Sequence, residues 1–576
     1  MRAVWPGSFV EEANLTVAIS ALRKVLPKAG DLQYIETVPK KGYRFTAPVK
    51  EVKSPDVVWM QAGPSAPSEA EVNQTADHSP ARHRIAVPAL ATLVCLLAIA
   101  GYLMHRKQAT PAYPPAQRSL AILPLRNLRQ DPNEDFLGFS LADAVITKLG
   151  SLSSLTVRPS SAVEKYRGQS IDLPKVAADL NVDTLLTGNF IREGNDLRIT
   201  YQLVDVKTER ILGRDTIDLK YDKLLTVQDN VAQQIIKGLE LNLSPSEAER
   251  IKPDEPVNPL AYEYYLRGVD LMGRHDFPLA VKMLEKSAEI DPKHALTWAY
   301  LGQSYTSDAA FEFGGREQYR KAQVAYERAL ALRPKQLEAS MFLANLFVDT
   351  GNVEQAVPLL RDTLSGNLRN AAVHWELGYA YRFAGMLQES VAEGELARQI
   401  DPSVKANGAV FNSYLYLGEY DKFLQSLPDV NDSDFIVFYR GFGEYHRKSW
   451  DRAVRDFERA YQLHPSLYAQ IGKALGDSIA GKNSDGLEIL HQLEDKIQQR
   501  GVGDPEATYK IAQAYAVFGD KTSAMRMLRY SIQNGFFSYP YFIRDPLLDK
   551  IRGEPQFPQL MNIARQRYEA FKAKFF

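Results

Sequence analysis

The chain has 576 residues, enough for about four domains at roughly 150 residues each. Its 69 Lys and Arg balance 70 Asp and Glu, so the formal net charge of -1 gives no global sign of nucleic acid or acidic lipid as a partner. The one cysteine, Cys95, excludes an intramolecular disulfide framework and a cysteine-based metal cluster.

The first block, residues 1–50, is locally basic. Arg2, Arg23, Lys24, Lys28, Lys40, Lys41, Arg44 and Lys50 stand against Glu11, Glu12, Asp31 and Glu36, eight cations to four acids, net +4. Within NLTVAISALRKVL the apolar residues Leu15, Ile19, Leu22 and Leu26 recur at helical spacing, which buries one face and leaves Thr16, Ser20, Arg23 and Lys24 on the other. QYIETVPKKGYRFTAPV then alternates like two strands folded about Pro39 to Gly42, with Lys40 and Lys41 at the tip. A helix followed by a basic hairpin reads as a winged helix. VWPGSFVEEANLTVAISALRKVL with YIETVPKKGYRF resembles the carboxyl half of an OmpR/PhoB-type DNA-binding domain. The resemblance implies that Thr16, Ala18, Ser20, Arg23 and Lys24 occupy recognition-helix positions and that Thr37, Lys40, Lys41 and Arg44 belong to the wing, its lysines on phosphates. The chain departs from the family at Ala18, Ser20 and Ala21, which supply no strong bidentate base contact. The domain's amino-terminal sheet and first helix are missing, and fifty residues seldom bury enough to fold, so a start upstream of Met1 is expected, the alternative being a genuine truncation.

Residues 51–84, rich in Pro, Ser, Ala, Gln and Glu, read as a flexible linker. Ile85 to Met104, IAVPALATLVCLLAIAGYLM, is twenty residues without a charge. At 1.5 Å each these give about 30 Å, the thickness of a bilayer's hydrocarbon core, and a transmembrane helix is expected. Residues 105–117 form a second, proline-rich linker.

Residues 118–245 follow the order strand, helix, strand, helix, three strands, helix, with DTLLTGNFIREG and DLRITYQLVDV turning at Gly194-Asn195-Asp196. This predicts an α/β sandwich domain. LAILPL, LADAVITKL and DTLLTGNFIREGNDLRITYQLVD make it similar to the TolB amino-terminal domain, a family with no catalytic residues to carry over. The scattered acids Asp135, Asp143, Asp183 and Asp196 read as caps and turns rather than a metal site.

From 257 to 535 the sequence repeats at about 34 residues. Trp298, Leu301, Gly302 and Tyr305, followed by Ala322, Tyr326, Ala329 and Pro334, resemble the tetratricopeptide repeat. His374, Leu377, Gly378, Tyr381, Gly385, Ala397 and Pro402 repeat the pattern, departing from it at Ser390 and Gly394. About eight units fit, each two antiparallel helices crossing at small residues and stacking into an all-α solenoid. Such arrays bind a protein or peptide on their concave face. Residues 536–576 read as a helical cap.

The fold class is therefore multidomain: a partial winged helix (α+β), one transmembrane helix, an α/β sandwich and the repeat solenoid. The combination resembles the CadC/ToxR type of membrane-anchored one-component transcriptional regulator. That likeness implies DNA as the inside partner, a signal or protein partner outside, and a homodimer that pairs half-sites. It places the amino terminus in the cytoplasm of a bacterium and residues 105–576 on the periplasmic side of the inner membrane. Arg82 and Arg84 against Arg106, Lys107 and Arg118 leave the orientation undecided by charge. The competing class is a membrane-tethered repeat scaffold with a non-functional winged-helix remnant. No phosphate-binding glycine loop, zinc-spaced histidines or nucleophile elbow points to an enzyme, a cofactor or a metal. His275, His294, His374 and His446 read as capping or solvent-facing residues.

Overall fold

The structure, a computed structural model, describes strands 35–38 and 42–45 and residues 118–576 apart from 130, 253–257, 312–314, 366, 402–410, 429–432 and 502–503. The expected recognition helix, both linkers and the apolar segment 85–104 lie outside these residues. Among the described residues no helix is long and apolar enough to cross a membrane. The chain divides into two compact units, 1–110 and 111–576.

In the first unit, β1 (Ile35–Val38) and β2 (Gly42–Phe45) pair antiparallel, with Ile35 opposite Phe45 and Val38 opposite Gly42. The sequence reading put Gly42 in the turn. The register counts it in the strand, so three residues, 39–41, connect the pair.

The second unit begins with a mixed sheet in the order β5-β3-β6-β7-β8, with the short β4 (Arg126–Asn127) also on β6. β3 (Arg118–Ile122) lies parallel between β5 (Leu155–Val157) and β6 (Thr184–Glu193). Flanked on both sides, its Leu120, Ala121 and Ile122 are buried, as a continuous apolar run requires. β6, β7 (Asp196–Asp205) and β8 (Arg210–Lys220) form an antiparallel meander. Glu193 faces Asp196 across a two-residue turn whose Gly194 has φ 60°, the left-handed first position of a hairpin turn; Asp196, expected in that turn, is already strand. Helices α1 (Phe136–Leu149), α2 (Leu173–Leu180) and α3 (Leu225–Gly238) fall where the periodicity predicts helices. α4 (Pro245–Arg250) was not foreseen, although its capping box is legible in the sequence Ser-Pro-Ser-Glu: Ser244 and Glu247 satisfy each other's backbone N–H groups.

Beyond α4 the described residues form eight helical pairs: α5 (Pro259–Gly273) with α6 (Phe277–Ile290), α7 (Ala295–Phe311) with α8 (Arg316–Leu332), α9 (Leu337–Asp349) with α10 (Val353–Ser365), and α11 (Ala371–Phe383) with α12 (Leu387–Ile400). Next are α13 (Asn412–Leu417) with α14 (Tyr420–Ser426), α15 (Asp434–His446) with α16 (Trp450–Leu463), α17 (Leu467–Ile479) with α18 (Asn483–Arg500), and α19 (Pro505–Phe518) with α20 (Lys521–Gln533). The short α21 (Tyr539–Phe542), a 3-10 turn and the long α22 (Phe557–Phe575) close the chain. Glycine at the crossings is a packing requirement. A Cβ on Gly268 would lie 2.5 Å from the Leu284 side chain, and one on Gly302 2.5 Å from the Tyr326 ring.

The α/β block and the first repeats share one core. A single cluster runs from Leu120 to Leu346, and 13 of the 14 residues of α1 are buried, because the sheet, α3 and α5 all pack against that helix. Ser140 donates to the Leu266 carbonyl at 2.7 Å, and Arg167 stacks 3.8 Å from the Phe139 ring while pairing with Asp270.

The far end of the array folds back onto its middle. Arg567 donates to Glu354 at 3.1 Å and to the Gly351 carbonyl at 2.5 Å, and the Phe576 ring meets Tyr381 edge-on at 5.1 Å. At the seam Gly351 and Gly535 have φ 84° and 116°, and a Cβ on Gly535 would lie 2.2 Å from the Gly351 Cα. Gly535→Ala therefore meets both strain and a backbone clash, and should lower the thermal midpoint by roughly 2–6 °C, read by scanning calorimetry. An unchanged midpoint would mean that the seam does not contribute to stability.

Candidate functional site

The sequence puts the DNA-contacting residues on a recognition helix and a wing. Of these, Thr37 lies on β1 opposite Tyr43, and Arg44 on β2 opposite Glu36. Thr16, Ser20, Arg23, Lys24, Lys40 and Lys41 lie outside the described residues. The structure thus brings two wing positions onto one hairpin.

The repeat array was expected to offer an open concave face. Between α11 and α19 that space is taken by the chain itself. The first twelve residues of α19, Pro505 to Ala516, are all buried, and the helix meets α11, α13, α15 and α17, each the first helix of its pair. Arg382 of α11 donates to Glu506 at 2.6 Å, and Lys510 donates to the same carboxylate at 3.1 Å and to the Tyr416 hydroxyl of α13 at 2.7 Å. Tyr416 donates in turn to Glu506. The Arg382, Glu506 and Lys510 side chains are 1%, 2% and 0% exposed, so this charge network is shut off from bulk solvent. Burial alone would raise the Glu506 pKa, yet Arg382 and Lys510 hold it below the usual carboxylate value. Burial lowers that of Lys510 against the pull of Glu506.

A second set of acids lines the same interior without such close cationic partners. Burial, followed by the charge of Asp504, raises Asp349 well above its ordinary value, and Tyr379 donates to it at 2.6 Å. Asp504 is itself raised by burial and by Glu506. Burial pushes Glu376 up to about 7 despite a 3.1 Å hydrogen bond from Asn345. Asp143, where the α/β block meets α7, is pushed up to about 6 by burial, against hydrogen bonds from Ser160 and Tyr300.

Two histidines correct the sequence reading. His374 bonds Glu393 at 2.6 Å and the Leu368 carbonyl at 3.0 Å; burial opposes its charge, but Glu393 raises its pKa overall. His446 neither caps nor faces solvent: it stacks on Tyr420 at 5.3 Å, its nitrogens lack hydrogen-bond partners, and burial pushes it down to about 3. Sequence reasoning also missed Arg382, Glu506 and Lys510. The signal was present, because Glu506 and Lys510 stand four apart in PEATYKIAQAYAVF, where burial all round admits charge only with a partner. Among the described residues no group of acids, histidines or cysteines could hold a metal ion.

Three family models match the chain. "Transcriptional regulatory protein, C terminal" covers residues 1–45, "HilA/YgeH-like transcriptional regulator, second domain" covers 116–236, and "Tetratricopeptide repeat" covers 315–392. The second of these matches falls on the α/β block. The transcriptional regulator HilA of Salmonella typhimurium is 24% identical over 415 residues, 70% of this chain and 63% of its own. The cholera toxin transcriptional activator of Vibrio cholerae is 36% identical over 94 residues, 16% of this chain and 30% of its own. A Rhizobium meliloti protein with the provisional name adenylate cyclase 3 is 29% identical over 208 residues, 36% of this chain and 35% of its own. The chain spans between 30% and 63% of these relatives' lengths. These matches bear out the resemblance to CadC/ToxR-like regulators with tetratricopeptide repeats.

The raised acids set a pH dependence. A carboxyl held at about 7 when folded but near 4.5 when unfolded binds more protons in the folded state between those values, so its contribution to stability falls as pH rises through that window. Glu376→Gln should therefore reduce the loss of thermal midpoint between pH 5 and 8, by a few degrees relative to the parent chain. Parallel profiles would overturn the assignment. Glu506 acts oppositely and in a different window: its stabilisation is present above about 4.5 and lost as pH falls through its lower folded value.

Proposed function

We propose that the chain is a membrane-anchored one-component transcriptional regulator. The winged helix of residues 1–50 binds promoter DNA on the cytoplasmic side. The helix of residues 85–104 crosses the bacterial inner membrane once, and residues 105–576 sense a signal or partner outside. The observation that carries the reading is the β1–β2 hairpin, which falls inside the 1–45 match to a regulator's DNA-binding end and in a block of net charge +4. The uncharged twenty-residue segment that separates this block from the folded body supports the anchor.

In this mechanism Thr16, Ser20, Arg23 and Lys24 face the major groove, while Thr37, Lys40, Lys41 and Arg44 hold the backbone. Small residues on the helix give each copy modest specificity. Pairing two copies raises avidity by about a hundredfold or more without new contacts, so a signal outside that changes homodimer association changes promoter occupancy. Because α19 fills the groove from α11 onward, a protein partner docks on the outer surfaces or on the earlier repeats.

Replacing Lys40 and Lys41 together by Ala in the full chain should weaken binding to every DNA sequence and reduce the slope of log K against log salt by about two units, measured by fluorescence anisotropy. Unchanged binding would remove the wing from the mechanism, and absence of DNA binding by the parent chain would favour the tethered scaffold. Protease added to cells with a permeabilised outer membrane should digest the repeat body and spare the 1–50 block. Full protection of the repeats would reverse the orientation.

A further inference from the structure

The sheet of the α/β block ends on β8, an eleven-residue strand that pairs with β7 on one side and with no strand on the other among the described residues. Alternate residues of an antiparallel strand turn their backbone groups to the same neighbour. Tyr221 N–H donates to the Asn195 carbonyl at 2.8 Å, in continuation of the register of β7 and β8, so the odd-numbered residues from Gly213 onward turn to β7. Arg214, Thr216 and Asp218 therefore direct their N–H and C=O groups outward. Thr216 N–H reaches only the carboxylate of its neighbour Asp215, at 2.8 Å in an exposed contact. Such an edge is a template for another strand.

The side chains say which strand fits. Arg214, Thr216 and Asp218 share the outer face, opposite Gln202, Thr200 and Arg198 of β7. Arg198 donates to both oxygens of Asp218, at 2.6 and 3.0 Å, and Thr216 lies 3.4 Å from Thr200. Arg214 is exposed and has no ion-pair partner among the described residues. On the inner face Ile217 and Leu219 pack on the shared core, yet they are only partly buried because nothing covers their outer side.

Two copies of β8 related by a two-fold axis pair antiparallel with like faces aligned, so each register is centred on one residue that meets itself. Centred on Arg214 or Asp215, the strands set like charges together at the axis. Centred on Ile217, Arg214 meets the partner's Lys220, and centred on Gly213 no opposite charges meet. Centred on Thr216, each Arg214 meets the partner's Asp218, and no like charges face each other. Asp215 and Gly213 then stand beside the partner's Ile217 and Leu219. Each Thr216 N–H finds the partner's Thr216 carbonyl in place of Asp215.

We propose that the free edge of β8 is the surface on which two copies of this chain meet, pairing antiparallel about Thr216 so that the sheet runs on from one copy to the other. Opposite charge at two symmetric positions fixes the register, and the outward backbone groups supply the ladder. The proposal rests on the homodimer of the proposed function, for which it names the contact.

The test uses the full chain with Cys95→Ser and Thr216→Cys, which leaves one thiol per copy, at the axis. A short bismaleimide should join two copies there, and should not join copies that carry Thr208→Cys instead, a position in the exposed turn before β8. Arg214→Asp or Asp218→Arg in the Thr216→Cys background sets like charges across both pairs and should lower the cross-linked product about tenfold at fixed concentration. A one-to-one mixture of these two variants should recover it, because every opposed position again carries opposite charge; recovery also shows that each variant is folded. No product at position 216, product that survives either charge reversal, or a mixture without recovery overturns the surface. Sedimentation equilibrium of the parent chain separates this from the homodimer itself. A dimer that fails to cross-link at position 216 removes the β8 contact and leaves the homodimer standing, whereas a monomeric parent removes both.

Discussion

Burial of α1 on every side is the constraint on which the rest of the folded body depends. A helix with 13 of 14 residues buried cannot be satisfied by the sheet alone, which covers one face. α3 and the first repeat supply the rest, and the shared cluster from Leu120 to Leu346 follows. At roughly 25 cal/mol per Å² of apolar area, a common core of that extent makes separation of the α/β block from the repeats costly. A change at one is therefore felt by the other.

The other organising interaction lies at the opposite end. Stacked repeats curve, and here the curvature is completed until α19 meets α11 and α22 meets α10. Closing the array with Arg382, Glu506 and Lys510 differs from closing it with leucines. A buried ion pair adds little net stability over apolar packing, but a misaligned one leaves a buried charge without its partner, at about 3–5 kcal/mol. The network thereby penalises every other register of α19 in the groove. Tyr416 and Asn412 extend the same demand to α13. The consequence for function is that repeats of this kind need not present an open groove.

Much of the organisation was legible because it rests on period and length. The alternation of β6 and β7 and the 34-residue spacing each identify a local structure. The candidate DNA residues rest on likeness over a short span, and all but Thr37 and Arg44 lie outside the described residues. The free edge of β8 was not legible, because a sequence shows a strand without showing which of its sides stays unpaired.

The sequence by itself determined where helices and strands form and which faces are apolar, since these depend on neighbours within a few residues. The tertiary structure decided which faces meet: that α1 is covered by the sheet, α3 and α5, that α19 fills the groove expected to be open, and that β8 lies at the edge of its sheet. The physical reason is separation along the chain. Arg382 and Glu506 are 124 residues apart, and no local pattern in either helix encodes the other's position.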